Sequence, residues 1–381
     1  MKSCLGIWVM TGSLLLSGIA QAAQPVNGKT APAFGTGPVK VERIAWFPEQ
    51  QSTGVAVSAD NRIFISLPRI SVDVPVSVAE LVDGKLVTYP NEQWNGYRNA
   101  KGAANDPAHQ FVTAQAIVFD HQNNLWVVDP ATPHRSGPIK GGAKLVRINI
   151  ATNKVDKVMY FDDKAVPEGA SLNDVRFSPD DRYAYLSDVA NPGHPGAIVV
   201  MDLHTGKAWR ALSGDPSTQT APDLYLMADG KKLLTPKGEG LQLNIDGIEI
   251  SPDGKTFYWQ ALTGDTVYSV PTEELNDPER AKHVRPEAVA KTHPADGLWI
   301  DAAGQFFVSN PSEDAVEIAD HVGAPLRMLF KDKRMRWPDS FAQGPDGALY
   351  VSASFIGDSP WFKPEATTTP SAIFRITAEK R

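Results

Sequence analysis

The stretch "NIDGIEISPDGKTFYW", residues 244–259, decides the reading of this chain. It holds a short alternating run, a Ser/Asp/Gly turn and a second β-rich run, the pattern of two strands joined in a hairpin. Nearly the same phrase stands at 293–308, "HPADGLWIDAAGQFFV", and at 171–186, "SLNDVRFSPDDRYAYL". Aligned on the turn, three more copies appear: "STGVAVSADNRIFISL" (52–67), "AQAIVFDHQNNLWVVD" (114–129) and "PDSFAQGPDGALYVSA" (338–353).

A third strand follows each copy, among them "AELVDGKLVTY", "GAIVVMDL" and "SAIFRIT", and a fourth follows several, such as "KVDKVMYF" and "LRMLF". Six units of up to four antiparallel strands predict an all-β, six-bladed β-propeller. The last unit stops at its third strand, and "VKVERIAWF" (39–47) stands alone before the first. Pairing that N-terminal strand with the last blade removes an open edge. Residues 39–381 therefore read as one propeller domain. The irregular segments 89–111 and 213–243 read as long loops, either lids or packing over one face.

The chain begins "MKSCLGIWVMTGSLLLSGIAQAAQ", a lysine, a short apolar run and a small-residue site. Residues 1–22 are expected to be a signal peptide cut after Ala22, and 23–38 a flexible leader, giving a secreted or periplasmic protein. Its only cysteine, Cys4, lies in the signal, so the mature chain has no disulfide, thiolate metal site or cysteine nucleophile. The net charge of −7 becomes −8 once Lys2 is removed. That mild acidity, with no basic cluster, argues against a nucleic-acid partner. No later segment is long and apolar enough to span a bilayer, and a monomer is expected.

In the alignment, one position lies two residues before the first apolar strand position of each copy. It is Thr53, Gln115, Asn173, Asp246, Asp296 and Asp339. Equivalent points of propeller blades should ring the central channel. Asp and Asn before Gly also form turns, because Gly tolerates positive φ. A turn, however, does not call for carboxylates on three consecutive blades. Such a ring needs a cation, a hydrogen-bond network or raised pKa values. Gln115, Asn173, Asp246, Asp296 and Asp339 offer only carboxylate and amide groups, which suits a divalent cation, Ca²⁺ first. A small amine would suit the same acids, helped by nearby aromatic faces. Trp259, Trp299 and Trp337 stand close in sequence, although Trp299 reads better as core of its strand. Asp246, Asp296 or His293 could serve as a base. His293 and His109 are conceivable proton carriers, while Glu317 and Asp320 read as surface charges. No G-x-S-x-G or P-loop motif occurs.

The phrases "SLNDVRFSPDDRYAYLSD", "GIEISPDGKTFYWQALTGDTVYSVPTEEL" and "WPDSFAQGPDGALYVS" resemble the major royal jelly protein and yellow family over roughly residues 40–377. The resemblance implies a secreted six-bladed propeller that binds biogenic amines in its channel or isomerises dopachrome. A weaker resemblance is to gluconolactonase-like propellers of the senescence marker protein group. It would make Asn173 and Asp246 or Asp296 ligands of a divalent metal, but Thr53 stands where those enzymes have Glu.

Three functions are thus expected. The first is binding of a small amine or catechol-like ligand at an acidic channel mouth, with isomerase-like chemistry. The second is metal-dependent lactone hydrolysis. The third is a non-catalytic structural or interaction propeller.

Overall fold

The computed structural model of the chain describes residues 34–70 and 72–379. Six four-stranded antiparallel sheets follow one another around an axis. Their inner strands are Gly54–Val57, Ile117–Phe119, Leu172–Phe177, Ile245–Ile250, Leu298–Ile300 and Pro338–Gln343. Each touches the next and the sixth touches the first, so the ring closes. The sixth sheet takes its outer strand from Val39–Phe47, which runs antiparallel to Ser371–Ala378 with Val39 opposite Ala378 and Phe47 opposite Ser371.

The repeated hairpin phrase folds for a local reason. Ser251 Oγ donates to Asp253 Oδ1 at 2.6 Å and accepts from the N–H groups of Lys255 and Thr256. Gly254 supplies the left-handed φ of 71° that closes the turn. Ser178 with Asp180 and Ser58 with Asp60 repeat the arrangement.

Alternate strand residues face opposite sides of each sheet, and one apolar layer fills the gap between every neighbouring pair of blades. Phe64 and Val127 lie between blades 1 and 2, and Trp126 and Phe177 between 2 and 3. Tyr185 and Trp259 fill the third gap, and Val267 and Phe306 the fourth. Phe307 and Phe374 fill the fifth, and Ile373 and Ile65 the closing one. Each such buried side chain contributes about 1.5–3 kcal/mol relative to exposure.

Three expectations change. "AELVDGKLVTY" is two strands, Val78–Val82 and Lys85–Thr88, so blade 1 is complete. Blade 4 gains an outer strand, Glu287–Lys291, set apart from its third strand by the helical turn Thr272–Leu275. The end of the expected leader is held rather than loose. Phe34 is 2% exposed, packs edge-on against Phe307, and exchanges backbone hydrogen bonds with the Gln305 amide. The expected signal peptide and residues 23–33 lie outside the described residues.

The two long loops differ. Segment 89–111 is packing: Trp94 and Phe111 join the core between blades 1 and 2, and buried Lys144 donates to the Pro107 carbonyl. Segment 213–243 carries a small hairpin, Met227–Ala228 with Lys231–Lys232. Its Leu226, Leu233 and Leu243 pack with Leu262, Trp337 and Ile356. Ile356 belongs to a further insert, residues 354–370, between the second and third strands of blade 6.

Candidate functional site

All six aligned residues, Thr53, Gln115, Asn173, Asp246, Asp296 and Asp339, line a single recess at one end of the channel. The backbone aims several of them. The ladder between first and second strands slips between Leu172 and Val175, between Ile245 and Ile248, and between Pro338 and Phe341. A bulge of this kind adds a residue and turns a side chain out of the regular pleat. Asn173, Asp246 and Asp339 sit within these three bulges.

Gly follows Asp246 and Asp296, but not to provide positive φ. A Cβ on Gly247 would lie 2.5 Å from the Asp296 carbonyl oxygen, and one on Gly297 would lie 1.9 Å from that of Asp339. These glycines let adjacent inner strands close on the axis. The turn-forming reading of the D-G pair is therefore corrected: the constraint is the approach of the next blade.

Apolar side chains roof the recess. Leu243 comes from the 213–243 insert, Ile356 and Trp361 from the 354–370 insert, and Ile70 and Leu262 from the connections after two second strands. The recess encloses about 480 Å³ of empty space, its open mouth included.

The acids are buried, at 5% exposure for Asp246 and Asp296 and 7% for Asp339. Each has a donor. Asn173 Nδ2 donates to Asp246 Oδ1, and the Trp337 indole N–H donates to Asp296 Oδ2, both at 2.5 Å. Ser340 Oγ donates to Asp339 Oδ1 at 3.2 Å. Burial, and then the charge of Asp296, push the Asp339 carboxyl well above the usual carboxylate range. Thr53 instead donates to the backbone carbonyl of Gln115 at 2.8 Å, binding blade 1 to blade 2.

Beneath the ring the channel is occupied by an ion cluster. Arg176 pairs with Asp174 at 2.8 Å and Glu249 at 3.1 Å, and donates to the Leu298 carbonyl. Its guanidinium lies 5.9 Å from the centroid of Trp299. Burial opposes ionisation of Glu249 and raises its pKa, with Arg176 acting in the other direction.

Other sequence candidates fall elsewhere. His293 does not line the recess; its Nε2 lies 3.3 Å from Glu317 and its Nδ1 3.0 Å from the Pro294 carbonyl. Burial works against the charge on His293, but Glu317 and the carbonyl outweigh it and raise the pKa. Its assignment as a base in the ring is corrected, and so is the reading of Glu317 as a mere surface charge. His109 is exposed and pairs with Asp106. Trp259 is core, donating to the Ser217 carbonyl. Sequence reasoning passed over Arg176, Asp174, Glu249, Trp361 and the roof leucines. The first three left a trace: charged residues inside otherwise apolar inner strands, in "NDVRF" and "GIEI". Trp361 left none, because the 354–370 insert lies outside the repeated hairpin phrase.

Among the described residues, no group of three or more His, Cys, Asp or Glu side chains is set to hold a metal ion. The ring's carboxylate and amide groups nonetheless match a hard cation in donor type.

The family model described as Major royal jelly protein matches residues 112–324. None of the curated proteins compared in sequence matches the chain. Among solved structures, a luciferin-regenerating enzyme is similar at TM-score 0.55 and 12% identity, with 89% of this chain and 95% of that one covered. A gluconolactonase from Xanthomonas campestris matches at TM-score 0.53 and 13% identity, covering 90% of each chain. A calcium-binding protein, regucalcin, from Agrobacterium tumefaciens matches at TM-score 0.51 and 15% identity, covering 88% and 96%. At these identities the likeness is one of fold.

Proposed function

The chain belongs to the major royal jelly protein family, and from that premise we propose that it is an exported, monomeric propeller that binds a small amine- or catechol-bearing molecule in the acidic recess. One observation carries the reading: a floor with three buried carboxylates under an apolar roof. An ammonium or phenolic O–H meets the acids, and an aromatic body meets Ile70, Leu243, Ile356 and Trp361. The buried floor strengthens such charge-assisted hydrogen bonds.

The same floor has the parts of a tautomerase. Moving a proton from an acidic C–H needs a base and a donor to the oxygen that gains charge. Asp246 or Asp296 is the base in this reading. Asp339, which holds its proton more tightly than an ordinary carboxyl, is the donor.

Calorimetric titration with tyramine and dopamine tests the binding. Asp296→Asn is expected to weaken it about tenfold to a hundredfold, the worth of one charged hydrogen bond. Gln115→Ala, on the uncharged side, is expected to change it by less than about threefold. No heat from the native protein at millimolar amine sinks the reading.

A second reading rests on the all-oxygen ring. Ca²⁺ would be held by Gln115, Asn173, Asp246, Asp296 and Asp339, and would supply a Lewis acid for lactone opening. For it, the Asn173 amide must turn its oxygen inward, away from the contact its nitrogen makes with Asp246. Calcium chloride is then expected to raise the melting temperature and EDTA to reverse the gain; equal melts with and without calcium reject it.

A further inference from the structure

Trp337 joins the floor of the recess to its roof. Its backbone is left-handed, with φ 56°, where bulky residues are true outliers. It also precedes Pro338, which restricts it further. Such a conformation persists when its surroundings over-determine it. Three sets of contacts do so. The indole N–H donates to Asp296 Oδ2 at 2.5 Å. The Trp337 carbonyl accepts from the Ser354 N–H at 3.0 Å. The side chain, 4% exposed, packs with Leu233 and Leu243 of one insert and Ile356 of the other.

The preceding residue grips the same two inserts. Arg336 donates to Asp358 of the 354–370 insert at 2.5 Å and to Asp229 of the 213–243 insert at 3.1 Å. Asp314 of blade 5 lies 3.9 Å away. One dipeptide thus ties down both roof segments through a guanidinium and one floor carboxylate through an indole.

We propose that Trp337 is a positioning residue for the bound ligand: its indole fixes the orientation of the Asp296 carboxylate, and the closed roof holds the indole in place. The inference rests on the amine-binding reading above. Trp is needed at this position because Phe or Leu would fill the space without a donor.

Two measurements test it. In tyramine calorimetry, Trp337→Phe is expected to bind about tenfold more weakly or worse, the loss of one charged hydrogen bond. In ¹⁵N-edited spectra, the Trp337 indole resonance, assigned through its proximity to the Leu243 methyls, is expected to move in Asp296→Asn and on tyramine addition. Native-like affinity in Trp337→Phe overturns the proposal, as does an indole resonance unmoved by Asp296→Asn. If the native protein binds no tyramine, the pocket reading fails by itself; the response of the resonance to Asp296→Asn then still supports or overturns the positioning role. The same comparison decides the matter if Trp337→Phe does not fold.

Discussion

Half of the ring, Thr53, Gln115 and Asn173 on blades 1 to 3, is uncharged, while the other half, Asp246, Asp296 and Asp339 on blades 4 to 6, is acidic. Both halves sit at the same point of the repeat and both reach the same recess. They differ in what the side chain is used for. Thr53 and Ser66 both donate to the Gln115 carbonyl, so the neutral side spends hydroxyls on holding blades together. On the acidic side Ser352 of blade 6 donates likewise to the Thr53 carbonyl at 2.9 Å, and Gly247 and Gly297 let the next blade's carbonyl come close. The carboxylates of that side line the recess and accept from an amide, an indole and a hydroxyl. Position is set by the fold, but chemistry is set by which side chain stands at that position.

The seam between the halves is where this comparison breaks hardest. Arg176 of blade 3 pairs with Glu249 of blade 4 beneath the ring. Arg176→Met leaves Glu249 and Asp174 without their cation. A loss of about 3–5 kcal/mol is expected, the usual result of removing one partner from a buried pair, measured by urea denaturation.

Gly297→Ala comes next. Its methyl would meet backbone rather than a yielding side chain, so destabilisation on the order of 3 kcal/mol is expected. Gly102→Ala is an unsuitable control because its φ is 82°, whereas Gly37 has no atom within 4 Å of the added methyl and no positive φ. A Gly37→Ala protein with the native melting temperature beside a lowered one for Gly297→Ala supports the contact account; equal melts refute it.

The smallest expected effect concerns Asp339. Its folded-state pKa lies above the unfolded value, so folding favours the protonated form. Its contribution turns unfavourable as pH rises from the ordinary carboxylate range through the raised folded value, then stays constant. Asp339→Asn should therefore raise the melting temperature at pH 8, with the gain fading as pH falls toward 4. A gain independent of pH would show that its charge is not the cause.

Much of this was legible in residues. The turn chemistry of "SPDG" and the alternating runs around it gave six hairpins, because Ser–Asp turns and strand periodicity are local effects. The ring followed from register alone: two residues before the first apolar position is the same place in every blade. What stayed hidden was non-local. Glu287–Lys291 was masked by an intervening helical turn, and Phe34 by pairing with Gln305, a partner 271 residues away. The distance between His293 and Asp296 in sequence was no guide, since the ring turns toward Glu317 instead. Trp337 could be noticed in "RWPD", but its left-handed backbone and its bond to Asp296 require blades 5 and 6 to be docked.

The shared final sheet also dictates an order of events. Val39–Phe47, the first strand among the described residues, leaves the ribosome long before Ser371–Ala378, its partner in the last blade. Until then that strand has no permanent neighbour on that side, and the circle is a horseshoe. Closure is thus a checkpoint on completeness: a chain that stops short of residue 371 lacks the clasp, so its recess is assembled from blades with an open end.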